Sequence, residues 1–179
     1  MASKLWSRRL PIAAFLGALG IFHMLCPWQI GVVSGASMEP SFHTRQVILI
    51  DRQYYRDHPV RRGDVIILRQ DDTVLIKRVY ALGGDSFWTL LNTDDGELFR
   101  DIIEPARLPR MRRLMPLLPS YRLTHVTVPP ASVYVVGDNT NASIDSRQFG
   151  AVPLTAVLGR VRNAPRAADT PALTHVASR

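Results

Sequence analysis

Hydrophobic positions along this 179-residue chain fall into one long unbroken run followed by several short ones. The long run, Leu10 to Trp28, contains no Asp, Glu, Lys or Arg. At about 1.5 Å per residue, about 19 residues span roughly the hydrocarbon core of a bilayer, so the run predicts a transmembrane anchor. Lys4, Arg8 and Arg9 precede it, and Arg45 is the first Lys or Arg after it. The positive-inside rule then puts residues 1–9 in the cytoplasm and the remainder outside. A cleaved signal peptide begins with the same basic residues. The length of the run and the lack of an A-x-A end favour a retained anchor.

The short runs are rich in β-branched residues and bounded by turn formers, the signature of strands. Gln29–Val33 reads as extended, and Gln46–Asp51, Val65–Leu68, the stretch around Lys77, Phe87–Leu91 and Val157–Val161 read as strands. Gln70–Thr73 reads as a hairpin turn, Tyr54–Pro59 as a loop, and the runs at Val126 and Val133 as another β pair. From 86 to 127 the character shifts to that of a variable insertion, a loop or small subdomain. Within it, Arg107–Pro119 sets four arginines among Leu and Met, and three prolines forbid a long helix. Such a mixture also suits a surface resting on anionic lipid headgroups. The tail, 163–179, reads as disordered.

Composition changes the picture in three places. Lys plus Arg number 22 against 15 Asp plus Glu, a net charge of +7. The arginines are scattered and no nucleic-acid motif accompanies them, so the basic balance points to anionic lipid and to no nucleic acid. The single cysteine, Cys26, lies in the apolar run and excludes an internal disulfide or a cysteine metal site. Only two residues are lysines, Lys4 and Lys77, so the chain beyond the anchor has one.

That lysine carries the candidate chemistry. Side chains alternate along a strand, so Lys77 shares a face with Leu75 and Val79. Burying an ammonium is costly, and its pKa falls until it sits there as a neutral amine able to act as a base. Ser37, in the small-residue turn Ser34–Pro40, could be the nucleophile such a base activates, Ser-Lys being a known variant of that pairing. Taken singly, Ser37 reads as a turn residue and Lys77 as a solvated edge residue. A third stretch, Gly137–Gly150, is dense in turn formers and short polar groups, which makes it a loop with many internal hydrogen bonds. Asp145 and Arg147, two apart in that loop, are not expected to face each other as a pair.

Together these stretches resemble the type I signal peptidases, the membrane-anchored Ser-Lys proteases, and the related mitochondrial inner-membrane proteases. The residues that carry the resemblance are Ser37-Met38-Glu39-Pro40, Arg62-Gly63-Asp64-Val65, Lys77-Arg78-Val79 with Gly84-Asp85, and Gly137-Asp138-Asn139 with Ser143, Asp145-Ser146-Arg147 and Phe149-Gly150. The resemblance covers Leu10 to about Val161. It implies a mainly β fold, an antiparallel β catalytic core over 29–162 with an N-terminal transmembrane helix and a small variable insertion. It implies removal of signal peptides from exported preproteins, with cutting after small residues, and it calls for no cofactor or metal. By motif position, Ser37 is the nucleophile and Lys77 the general base. Ser143 orients the lysine, while Asp145, Arg147 and Arg78 brace the site. Gly35, Ser37 and Met38 form the oxyanion and substrate-binding stretch. Some members place a serine hydroxyl where this chain has Gly35, so a second oxyanion donor is not identified.

The arginine-rich, lysine-poor composition suggests a bacterial cytoplasmic membrane with the catalytic domain outside, the mitochondrial inner membrane being the alternative. A pilin-processing peptidase of the same superfamily is a narrower alternative function, and a membrane-anchored interaction protein without catalysis a broader one. A Ser-His-Asp hydrolase would have to draw on His43, His58 or His125, in a chain without a G-x-S-x-G elbow.

Overall fold

The most apolar of the short runs, Val65 to Leu68, becomes a strand buried on both faces, and the main sheet is built around it. A computed structural model of the chain describes residues 26–93 and 100–165. Nearly all of the expected anchor and most of the expected tail therefore lie outside the described residues. Among the described residues no helix is long and apolar enough to cross a membrane.

Strands β1 (Trp28–Val32), β2 (Val47–Asp51), β3 (Val65–Gln70) and β4 (Thr73–Leu82) are followed by β5 (Ser86–Asn92), β6 (Arg100–Ile103) and β7 (Tyr121–Thr127). Strands β8 (Ser132–Val136), β9 (Val152–Pro153) and β10 (Val157–Val161) complete the series. They form a main sheet in the order β1-β2-β10-β3-β4-β8-β9 and a small sheet in the order β6-β5-β7. Every pairing is antiparallel. Period-two alternation splits β3 between two cores. Val65 and Ile67 join Met38, Phe42, Ile48 and Val161, while Ile66 and Leu68 join Val79, Val133, Val135 and Val152. Full burial of each such side chain contributes about 1.5–3 kcal/mol.

Several local expectations need correction. The runs at Val126 and Val133 are both strands but do not pair, because β7 pairs with β5 in the small sheet and β8 with β4 and β9 in the main one. Segment 86–127 is regular sheet at both ends. It docks on the main sheet through Phe87, which meets Tyr80 and Tyr134 edge-on. Tyr54–Pro59, expected as a loop, contains one helical turn, α1 (Tyr54–Asp57). Between β6 and β7, α2 (Leu108–Leu114) turns Leu108, Met111 and Leu114 toward the protein and leaves Arg110, Arg112 and Arg113 exposed. Leu117, in the turn that follows, is 75% exposed, so the surface there sets apolar area beside the arginines. Asn163 to Pro165, assigned to the tail, are held against the sheet.

Phe42, fully buried with Met38 and Ile48, tests the first core. Phe42→Ala is expected to lower the unfolding free energy by about 3–5 kcal/mol, read from the urea midpoint. An unshifted midpoint would place Phe42 outside the core.

Candidate active site

The turn between β1 and β2 is anchored by its neighbours. The Met38 side chain is fully buried in the first core, so of this residue only the main chain is left to serve the site. Ser37, beside it, stays partly exposed. Gly35 has φ +90°, a left-handed conformation that disfavours any side chain, although a Cβ there would meet nothing within 4 Å. The backbone, rather than space, fits glycine to this position.

Strand β4 brings the lysine to this turn. Lys77 is opposite Ile66 of β3, is 2% exposed, and its Nζ lies 2.9 Å from Ser37 Oγ. None of the three histidines takes that place: His43 pairs with Glu39, His58 stacks on Tyr54, and His125 lies against Trp88. Burial pushes the Lys77 amine below its ordinary value and the Arg147 charge adds to this, against opposing pulls from Asp145 and Asp138.

Arg78, the next residue, is fully buried and acts as a hub. Its Nε and Nη2 donate to the two carboxylate oxygens of Asp138, at 2.8 and 2.6 Å. Nη2 also reaches Ser41 Oγ at 3.3 Å, and Nη1 reaches the carbonyls of Gly63 and Pro165 at 3.1 and 3.3 Å. The Asp138 loop in turn touches the nucleophile's turn, because Asn139 N–H donates to the Ser37 carbonyl at 3.0 Å. Gly137 must be bare for this contact, since a Cβ would overlap both Ser143 Oγ and the Ser37 carbonyl oxygen.

Asp145 and Arg147 do form a pair, contrary to the expectation from their spacing. Asp145 caps the short helix α3 (Ser146–Phe149): its carboxylate accepts from Arg147 N–H, and Gln148 Oε1 accepts from Asp145 N–H. The cap folds Arg147 back, so that its Nε and Nη2 grip the same carboxylate at 2.9 Å each. Burial pulls the Asp145 carboxyl up, but the hydrogen bonds from Arg147 and Gly137 N–H outweigh it and hold the group below the ordinary value. Ser143 is buried against Gly137, and its hydroxyl faces the Asp145 carboxylate and helps to hold that group below the ordinary value. Among the described residues the Lys77 amine bonds to Ser37 Oγ rather than to Ser143.

Asp138 and Asn139 gained no individual role from the sequence. The signal was present in charge balance, since a buried Arg78 needs a carboxylate, and only the fold shows which one. Lys77 has no carboxylate within 4.0 Å among the described residues, while both arginines do. Beside Ser37 and Lys77 a groove of about 540 Å³ runs between β1 and β4, lined by Val33, Ile48, Ile67, Ile76 and Leu158. Among the described residues no three His, Cys, Asp or Glu side chains gather as a metal site would need.

Residues 6–164 match the family model described as signal peptidase, peptidase S26. The chain belongs to this signal peptidase family. It is 32% identical over 141 residues to signal peptidase I of Bacillus caldolyticus, covering 73% of this chain and 75% of that protein. It is 28% identical over 136 residues to mitochondrial inner membrane protease subunit 1 of Xenopus tropicalis, covering 74% and 66%. A solved signal peptidase I from Enterococcus faecalis is 24% identical, covering 59% of this chain and 98% of that one, with a TM-score of 0.36.

Removing one partner of a buried ion pair strands the other. Asp138→Asn is expected to lower the unfolding free energy by about 3–5 kcal/mol, and Asp138→Leu combined with Arg78→Met to recover most of it. Urea unfolding of the three proteins checks this. A double variant no more stable than Asp138→Asn would mean that the pair is not the interaction being broken.

Proposed function

We propose that this chain is a membrane-anchored serine endopeptidase that removes signal peptides from exported preproteins, using Ser37 as nucleophile and Lys77 as general base. The observation that carries the proposal is the 2.9 Å approach to the Ser37 hydroxyl of a buried lysine that has no carboxylate partner among the described residues. As a neutral amine, Lys77 takes the Ser37 proton while Oγ attacks the scissile carbonyl. The resulting ammonium then protonates the leaving amine, and the same lysine deprotonates the water that releases the acyl group. The Ser37 N–H, beside the reacting carbonyl, supplies an oxyanion donor.

The sheet provides a place for an extended peptide. Strand β4 pairs with β3 over Thr73–Arg78 but with β8 only from Arg78 onward, so its stretch Thr73–Lys77 presents an open edge to the groove. Extended peptides bind such edges through main-chain hydrogen bonds. Branched apolar side chains line the groove beside the dyad, which suits small residues before the cut. Membrane anchoring is supported by the apolar run that ends at Trp28, where β1 begins. It is also supported by the outer face of β1–β2, on which Ile30, Val32 and Val47 are 72%, 64% and 59% exposed. A bilayer would cover that face, and the arginines of α2 suit anionic headgroups. The bacterial and mitochondrial relatives both fit an extracytoplasmic or intermembrane-space site.

The acidic limb of kcat/KM tests the base. Because burial disfavours the charged amine, cleavage of a preprotein with a small residue before the cut should rise with pH as Lys77 loses its proton. The limb should fall below the ordinary lysine value of about 10.4. Lys77→Arg cannot deprotonate and is expected to lose roughly 10³-fold or more, as removal of a general base does, while staying folded. Lys77→Met should be inactive and at least as stable to urea, since it removes a buried amine. Near-normal turnover by Lys77→Arg would remove the lysine from the mechanism.

A further inference from the structure

A guanidinium has five N–H donors, and Arg78 places all five: one on each Asp138 oxygen, then Ser41 Oγ, the Gly63 carbonyl and the Pro165 carbonyl. The fifth acceptor comes from the far end of the described chain. How it arrives there can be followed bond by bond. Strand β10 pairs with β2 only at Arg160 with Asp51 and Val161 with Ile50. One residue further, Arg162 N–H donates to the Leu49 carbonyl at 2.9 Å. The main chain then leaves the edge of β2, and the Asn163 side chain takes over the ladder. Its Oδ1 accepts from Leu49 N–H at 3.1 Å and its Nδ2 donates to the Val47 carbonyl at 3.3 Å. An amide side chain offers one acceptor and one donor, as a peptide group does. With the side chain doing the pairing, the backbone is free to turn inward. Ala164 packs on the core of Met38 and Phe42, and the Pro165 carbonyl meets Arg78.

We infer that Asn163 is a positioning residue for the dyad: its amide clasps β2 so that the Pro165 carbonyl completes the acceptor set of buried Arg78, and Arg78 thereby holds the Asp138–Asn139 loop on Ser37. This rests on the Ser37–Lys77 reading for its catalytic consequence, but its structural part does not. Without the clasp, one N–H of a fully buried cation loses its acceptor, which favours rotation of the guanidinium or entry of water. Either change loosens Asp138, and with it the Asn139 N–H that donates to the Ser37 carbonyl. Loosening Asp138 also alters its upward pull on the Lys77 amine, just as entering water alters the amine's desolvation, so the Lys77 pKa shifts.

The test compares the full chain with Asn163→Ala and Asn163→Asp, the latter keeping an acceptor for Leu49 N–H while opposing the Val47 carbonyl with a carboxylate. Two readouts are taken well below the melting temperature of each. Amide hydrogen exchange at Asn139 should be about tenfold faster in both variants, the scale of one buried donor left without a partner. The acidic limb of kcat/KM should move from its wild-type position, with kcat reduced by about the same factor. Unchanged exchange at Asn139 overturns the clasp, even if the melting temperature falls, because Asn163 would then stabilise only β2 and β10. Faster exchange with an unmoved limb and unchanged kcat overturns its role in positioning the dyad. If Asn163→Ala does not fold, Asn163→Ser is measured in its place. A wild-type limb that survives Lys77→Met would instead discredit the lysine base, and the exchange comparison would still decide the clasp.

Discussion

Among the described residues three cations are buried around Ser37, Lys77, Arg78 and Arg147, and two carboxylates, Asp138 and Asp145, are there to meet them. Arg78 takes Asp138 and Arg147 takes Asp145, each by side-on contact of Nε and Nη2 with both carboxylate oxygens. Guanidinium groups fit carboxylates in this forked way and do not give up their proton inside proteins. The lysine is the one cation of the three that can become neutral, and it is the one left without a carboxylate within 4.0 Å among the described residues. That imbalance, together with 2% exposure, pushes its pKa below the ordinary value. A third carboxylate within reach would hold the proton on the amine and end its use as a base.

The same constraint explains why so much depends on β4. Neighbouring residues of a strand point to opposite sides, so consecutive positions serve different ends. Lys77 reaches the nucleophile, while Arg78 gathers the Ser41, Gly63, Asp138 and Pro165 segments into one hydrogen-bonded hub. Those segments hold three of the four motifs by which the chain resembles its family, and the fourth runs through Lys77-Arg78 itself. Pairing with β8 begins only at Arg78, so the half of β4 that ends at Lys77 keeps an open edge for a substrate strand. Base, brace and peptide-binding edge are thus consequences of one strand and its partial pairing.

The strands of the main sheet, apart from the two-residue β9, were legible because each is a short apolar run between turn formers, and Lys77 was legible because it is alone on an apolar strand. What was not legible depends on partners distant in sequence or on a cap. The runs at Val126 and Val133 look like a hairpin locally, yet Phe87, Tyr80 and Tyr134 pull β7 into a separate sheet with β5. Spacing alone set Asp145 and Arg147 apart. The helix cap that reverses this is four residues of helix too short to show a period. The role of Asp138 was hidden because a loop carboxylate reveals its partner only when the loop is placed. Asn163 was masked by an Ala-, Pro- and Arg-rich context that reads as a tail, although its amide is bonded like a piece of strand.

The central claim is that burial beside Ser37 lowers the pKa of the Lys77 amine in the folded protein. Since only Lys4 and Lys77 are lysines, a Lys4→Arg variant labelled with ¹⁵N-lysine gives a single side-chain amine signal. Its titration by NMR reads the charge of Lys77 without reference to any substrate. The chain's geometry requires that signal to titrate below the ordinary lysine value of about 10.4, and to return to it on unfolding in urea. A folded-state titration at or above that value would mean that Lys77 remains an ammonium beside Ser37, and would contradict the account.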